Sequence, residues 1–189
     1  MRIITGSAKG AKLVTLDGLE TRPTAERTKE AVFSMLQFDI EGRKVLDLFS
    51  GSGQMALEAL SRGAESAVLL DKSKEAVSVI TKNAEKTRLS DKCKIYCTDC
   101  FDYLKKNKDE KFDIVFIDPP YALKLVGKSL SALLENRFLK PTTLVVCESG
   151  EADVFAENSA LKENFEIFKS GKYGVAYVNI FVPKGGVLQ

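Results

Sequence analysis

Histidine is absent from the chain, and that removes a large block of chemistry. Ser-His and Cys-His nucleophilic systems lose their base, and the usual zinc ligand is missing. Cysteine is scarce: the four are Cys93, Cys97, Cys100 and Cys147. The first three are close together, but Cys93 and Cys97 fall within one expected strand and Cys147 within another. They read as small buried hydrophobes of a reducing compartment, with no metal expected. No secretory signal, transit peptide or apolar run of membrane-spanning length is found, which points to a soluble cytoplasmic protein without a membrane partner. Repeats, linkers and low-complexity tracts are lacking too. The 189 residues then amount to one domain, able to bury roughly 70% of its unfolded surface. Net charge is only +2, from 28 basic and 26 acidic side chains, yet it is uneven. Residues 2–29 hold Arg2, Lys9, Lys12, Arg22, Arg27 and Lys29 against Asp17, Glu20 and Glu26. Such an arm suits a polyanionic partner.

What is present is organised around Phe112-Asp-Ile-Val-Phe-Ile-Asp118-Pro119-Pro120-Tyr121. The apolar, β-branched and aromatic first part reads as a buried strand. It stops at an acid, two prolines and an aromatic. Neither proline has an N–H, and residues 118 and 119, each preceding a proline, are held near the extended region. One carboxylate, one free carbonyl and one ring are thereby fixed at the carboxyl edge of a sheet, where open parallel sheets bind ligands. Carboxylate and carbonyl together can accept both hydrogens of an amino group lying against the tyrosine.

Residues 2–16 suit a short hairpin around Gly6 and Gly10, with Lys9 and Lys12 outward. Thr24 is then an expected N-cap of a helix striped by Val32, Met35 and Leu36, leaving Arg22, Arg27 and Lys29 on the outer side. From Lys44 the chain alternates strand and helix. Expected strands are 45–49, 67–70, 94–98, the Asp118 strand and 143–147. Between them lie helices carrying Leu57 and Leu60, Val77 and Ile80 behind a Ser73 cap, and Val126, Leu130, Leu133 and Leu134. Alternation of this kind calls for an α/β fold, a parallel sheet with helices on both faces. Residues 165–168 and 175–182, parted by 169–174, read as an antiparallel hairpin that closes the sheet at seven strands. The expected organisation is an N-terminal RNA-binding extension, 1–43, and a main domain, 44–189.

Asp47-Leu-Phe-Ser-Gly51-Ser-Gly53 joins the first strand to its helix. Glycines there let backbone approach a ligand, and the helix beyond presents free N–H groups. With Ala56 the run also matches a dinucleotide loop. Asp47 argues against a pyrophosphate, which it would repel, and for an ammonium or sulfonium. Asp71, ending the second strand, can accept ribose hydroxyls, and Asp99, ending the third, an adenine amino group. Four acids, Asp47, Asp71, Asp99 and Asp118, thus close four successive strands at one edge.

At these residues the chain resembles a known family. The run from Asp47 to Ala64 is similar to motif I of the RsmD-type methyltransferases, Arg22-Pro-Thr-Ala-Glu-Arg27 followed by Glu30-Ala-Val-Phe33 resembles their N-terminal signature, and Asp118-Pro-Pro-Tyr121 resembles their motif IV. The resemblance covers nearly the whole chain and implies a Rossmann-like class I methyltransferase fold. It also implies S-adenosylmethionine as methyl donor, S-adenosylhomocysteine as product, and no metal. The acceptor it implies is a guanine N2 in small-subunit ribosomal RNA, naked or in an assembly particle, with no obligate protein partner. By the same resemblance Asp47, Phe49, Ser50, Gly51, Gly53, Asp71, Lys72, Asp99, the Cys100 amide and Asp118 hold the donor. Asp118, Pro119, Pro120 and Tyr121 hold the extruded base; the uneven charge, rather than the resemblance, assigns Arg2, Lys9, Lys12, Arg22, Arg27 and Lys29 to the RNA. Residues 121–125 would close over that base. An adenine-N6 methyltransferase is the nearest alternative, since the same tetrapeptide serves that amine, although 189 residues leave no room for a DNA-reading domain. A glutamine methylator would show Asn at 118. A nicotinamide-dependent oxidoreductase leaves Asp-Pro-Pro-Tyr unexplained, and a non-catalytic RNA-binding module would not need four acids round a pocket.

Overall fold

A computed structural model describes residues 1–16, 23–120, 124–156 and 158–185, without the side chains of 23–25. The expected strand–helix alternation is there: α1 (Pro23–Met35), β1 (Lys44–Asp47), α2 (Gln54–Ser61), β2 (Ser66–Asp71), α3 (Lys74–Thr87), β3 (Cys93–Cys97), α4 (Cys100–Lys106), β4 (Phe112–Ile117), α5 (Leu125–Glu135), β5 (Leu139–Ser149), α6 (Ser159–Lys162), β6 (Phe165–Tyr173) and β7 (Ala176–Pro183). One sheet runs in the order β3-β2-β1-β4-β5-β7-β6. Its first five strands are parallel, and β7 is antiparallel to both β5 and β6. The strand order reverses between β1 and β4, the point where helices leave the sheet in opposite directions and a crevice opens beyond the carboxyl ends.

Successive strand residues point to opposite faces, and two cores result. Val45, Ile114, Phe116, Leu144 and Val146 pack with residues of α1, α2 and α3 on one face. Leu46, Val115, Ile117, Val145 and Cys147 pack with residues of α4, α5 and α6 on the other. Strand β4, central and covered on both sides, is buried along its whole length, which is why its sequence reads as a continuous apolar run rather than an alternation. Strand β3 is an edge and largely exposed. Cys97 is therefore exposed and Cys93 only half-buried, which corrects the expectation that all four cysteines are interior; Cys100 and Cys147 are.

The N-terminal segment is a tight hairpin with a single bridge, Arg2 to Lys12, and it is bolted to α2. Glu58 is fully buried; its Oε2 accepts from Ile4 N–H at 2.7 Å and its Oε1 from Thr5 N–H at 3.0 Å. Arg62 Nε lies 2.8 Å from Oε1, and Lys29 Nζ lies 3.5 Å from Oε2. Gly6 crosses so close to α2 that a Cβ there would sit 1.8 Å from the Ser61 carbonyl oxygen. Lys29 is thus interior, 2% exposed, and also donates to the Arg2 carbonyl. The expectation of an outward, RNA-facing Lys29 is corrected: the acid that turns it inward lies 29 residues on, out of reach of helical spacing. Helix α1 begins at Pro23, one residue before the expected Thr24 cap. Its Val32 and Phe33, with Leu36 just past its end, join the sheet's core. Strand β6 runs on to Tyr173 and β7 begins at Ala176, so most of the expected 169–174 connection is ladder.

Candidate active site

Each strand meeting the crevice delivers an acid within a residue or two of its end. Asp47 closes β1 and is 2% exposed; Asp71 closes β2; Asp118 follows β4 directly. The loop after β1 turns at Gly51 (φ +54°) and Gly53 (φ +78°), both in the left-handed region that glycine enters without steric cost. A Cβ on Gly53 would press on Ile80 and Leu69 at 3.3 Å, so this glycine also lets α2 and α3 approach the sheet. Ser50 is committed internally. Its N–H donates to the Leu70 carbonyl at 3.0 Å, its hydroxyl to the Asp47 carbonyl at 3.1 Å, and its own carbonyl accepts from Gly53 N–H at 2.6 Å. Asp71 braces the same loop: Oδ2 accepts from Gly51 N–H at 3.0 Å and Oδ1 from Ser73 N–H at 2.8 Å. Each oxygen keeps a second lone pair for a ligand. Phe49 is half-buried and Lys72 exposed beside Asp71.

Asp99 is the N-cap of α4, accepting from Phe101 N–H at 2.8 Å through Oδ1. Cys100 opens that helix, where the first N–H groups lack intrahelical partners. Its thiol is pushed up to about 12 by burial, so it is no thiolate. Burial likewise pushes the Asp47 carboxyl up to about 7, against the Phe49 N–H that lowers it, and the Asp71 charge adds to the rise. The half-buried Asp118 is raised well above the ordinary range by burial, by Glu148 and by Asp47.

Among the described residues, the buried side-chain oxygens without a hydrogen-bond partner are Asp47 Oδ2, Gln54 Oε1 and Ser129 Oγ. Two of the three flank the glycine loop. Buried acceptors of this kind are costly, and they fit a ligand that brings donors and positive charge, as the amino-acid part of S-adenosylmethionine does. Gln54, the first residue of α2, is thus a further candidate for the site.

Past the end of β4 lies a cavity of about 550 Å³, walled by Pro119 and Pro120, by Lys124 to Lys128 at the head of α5, and by Glu148 to Glu151 and Asp153 at the end of β5 and beyond it. Pro119 is buried and Pro120 exposed at its mouth. Glu148 is a further acid of the site, and it ends an apolar strand as the four aspartates do, the signal by which the sequence could mark it. Tyr121, Ala122, Leu123 and Arg22 lie outside the described residues. Of the basic arm, Arg2, Lys9, Lys12 and Arg27 are exposed, with Arg2 3.3 Å from Glu26, while Lys29 is not available to RNA in this structure. The structure therefore brings the donor-loop residues and Asp118 to one crevice and separates Lys29 from them.

Comparison with known proteins agrees with this arrangement. The family model described as "Conserved hypothetical protein 95" matches residues 1–182. The ribosomal RNA small subunit methyltransferase D of Haemophilus influenzae is 33% identical over 183 residues, covering 96% of this chain and 93% of its own. The solved structure of the Escherichia coli protein yhhF superposes with a TM-score of 0.81 at 29% identity, covering 97% of each chain. An RNA methyltransferase from Salinibacter ruber, solved with S-adenosyl-L-homocysteine, shares the fold at 19% identity and a TM-score of 0.63, covering 85% of this chain and 95% of that one. With its seven-stranded sheet, its glycine loop and its Asp-Pro-Pro strand end in place, this chain belongs to the RsmD-type methyltransferase family.

Proposed function

We propose that this protein transfers a methyl group from S-adenosylmethionine to the exocyclic N2 of a guanine in 16S ribosomal RNA, the guanine 966 type, during maturation of the small subunit. The observation that carries the reading is the half-buried Asp118, followed by two prolines and set between a crevice with unsatisfied acceptors and a base-sized cavity. The family relationship supports it. S-adenosylmethionine, when bound, supplies an electrophilic sulfonium methyl. The protein's part is to hold and orient. Asp71 accepts the ribose hydroxyls, Asp99 the adenine amino group through the oxygen not used by the cap, and Asp47 with Gln54 the donor's ammonium.

A guanine N2 lone pair is delocalised into the ring and is a poor nucleophile. Asp118 Oδ and the Pro119 carbonyl each accept one of its hydrogens, return density to nitrogen and aim it in line at about 3 Å from the methyl. Asp118 is ionised beside the donor's positive charge; once transfer removes that charge, the released proton passes to Asp118, whose crowded, half-buried setting then favours the protonated form. The base leaves its stack to reach this point, and Tyr121 gives it a face to rest on. Exposed Arg2, Lys9, Lys12 and Arg27, with Arg22, meet phosphates.

Incubation with methyl-labelled S-adenosylmethionine and unmethylated small-subunit RNA, free or in assembly particles, tests the reading. Nuclease digestion and mass spectrometry should return N2-methylguanosine. N6-methyladenosine as the product would sink it in favour of adenine methylation. Asp118→Ala should cut turnover by two or more orders of magnitude while lowering donor affinity much less, the pattern of an interaction used mainly in the transition state.

A further inference from the structure

The mechanism above leaves one acid unused. In the β4–β5 register Ile117 lies opposite Cys147. Continued one step past this last pair, the register puts Asp118 beside Glu148 on the same face of the sheet. Glu148 is held there by β7, where it pairs with Val178. Glu148 lines the cavity beyond the prolines, and its charge acts on Asp118. A third acid, Asp47, stands on the donor side with one buried oxygen unsatisfied. Three acids at one point repel one another and are kept in this way chiefly at functional sites. Asp47 answers the donor's cation and Asp118 the reacting amine. Glu148, on the far side of Asp118 from the donor, faces the space where the rest of the base must lie.

The neighbouring atom decides what an acid can do there. On guanine the ring atom next to the C2 amine, N1, carries a hydrogen. On adenine the ring nitrogen next to the C6 amine is a bare lone pair. An ionised carboxylate only accepts hydrogen bonds, so it attracts the first and repels the second. A site built to pair with a substrate N–H rejects the analogue lacking it far more strongly than an apolar pocket discriminates by shape. Resting on the guanine reading above, we propose that Glu148 is the residue that selects guanine, accepting the N1–H of the base while Asp118 and Pro119 hold N2. The Asp-Pro-Pro end is then indifferent to which amine it methylates, and the end of β5 supplies the discrimination.

The test uses the full-length protein and, once mass spectrometry has located the methylated guanine, RNA carrying either guanine or 2-aminopurine at that position. 2-Aminopurine keeps the C2 amine and replaces N1–H by a lone pair. Wild type should favour guanine by 100-fold or more in kcat/KM. Glu148→Gln should lose at least tenfold on guanine and shrink the preference to under tenfold, because its amide can accept from one base or donate to the other. S-adenosylmethionine affinity by calorimetry should stay within about threefold. A Glu148→Gln enzyme with wild-type guanine turnover and undiminished preference overturns the assignment. So does a loss of donor binding equal to the loss of turnover, which would place Glu148 in the donor site or the fold. Glu148→Asp, acid but shorter, should retain the preference at a reduced rate; loss of preference there equal to that in Glu148→Gln would mean packing and not charge is responsible. The guanine reading fails separately, by the wild-type product alone.

Discussion

Asp47 is the residue where the proposed donor site and the stability of the fold meet. Its ordinary carboxyl value of 3.8 is raised to about 7 in the folded protein, chiefly by burial. Unfolded chains have released this proton by about pH 5, so between there and pH 7 the native state holds more protons than the unfolded one. Stability of the ligand-free protein then falls as pH rises through that window, and the full penalty is present above it. Thermal unfolding from pH 5 to pH 8 should show a declining melting temperature, and Asp47→Asn should remove much of the decline. Asp118 is shifted in the same direction and should keep part of it. Saturating S-adenosylmethionine, whose positive charges favour the ionised acids, should flatten the curve as well. A pH profile unaltered by Asp47→Asn would show that this carboxyl is solvated.

At the scale of elements, the hairpin before α1 depends on α2 through one side chain. Glu58 satisfies two backbone N–H groups and two cations from a fully buried position. Burial pushes the Lys29 ammonium down, while Glu58 works against that shift. Removing one partner of such a group leaves an uncompensated buried charge, at a cost of about 3–5 kcal/mol. Glu58→Ala should therefore destabilise the protein by that order in urea unfolding. Amides of residues 3–5 should lose hydrogen-exchange protection before those of β4. The double variant Glu58→Leu with Lys29→Met, which removes the buried Lys29–Glu58 pair and keeps volume, should recover the part of the loss due to the stranded ammonium, but not the part due to Arg62 and the Ile4 and Thr5 N–H groups losing their acceptor. Equal destabilisation in the single and double variants would mean the charges are incidental to the packing.

At the scale of the whole molecule, the near-neutral balance conceals a basic patch that the fold thins out. Of the six cations in the N-terminal arm, Lys29 is spent on Glu58 and Arg2 stands beside Glu26. Lys9, Lys12 and Arg27 are exposed. Each of these three that contacts a phosphate contributes about one to the slope of log affinity against log salt. Lys9→Ala, Lys12→Ala and Arg27→Ala should each lower that slope in RNA titrations and leave donor affinity alone. Salt slopes matching wild type in all three would place the RNA on another surface.

The sequence by itself determined the strand–helix alternation, the antiparallel closing hairpin and the acids at the strand ends. These follow from local patterns: apolar periodicity, the phase at which a strand stops, and the stiffness two prolines impose. Three-dimensional structure alone decided the long-range pairings. Nothing near Lys29 in sequence announces Glu58, nothing near Cys97 reveals that β3 is an edge, and nothing near Glu148 says that β5 stops beside Asp118. Side-chain partners that lie tens of residues apart are set by strand order and register. Those in turn come from how the two faces of the sheet bury their apolar residues, a property of the whole chain that no single segment carries.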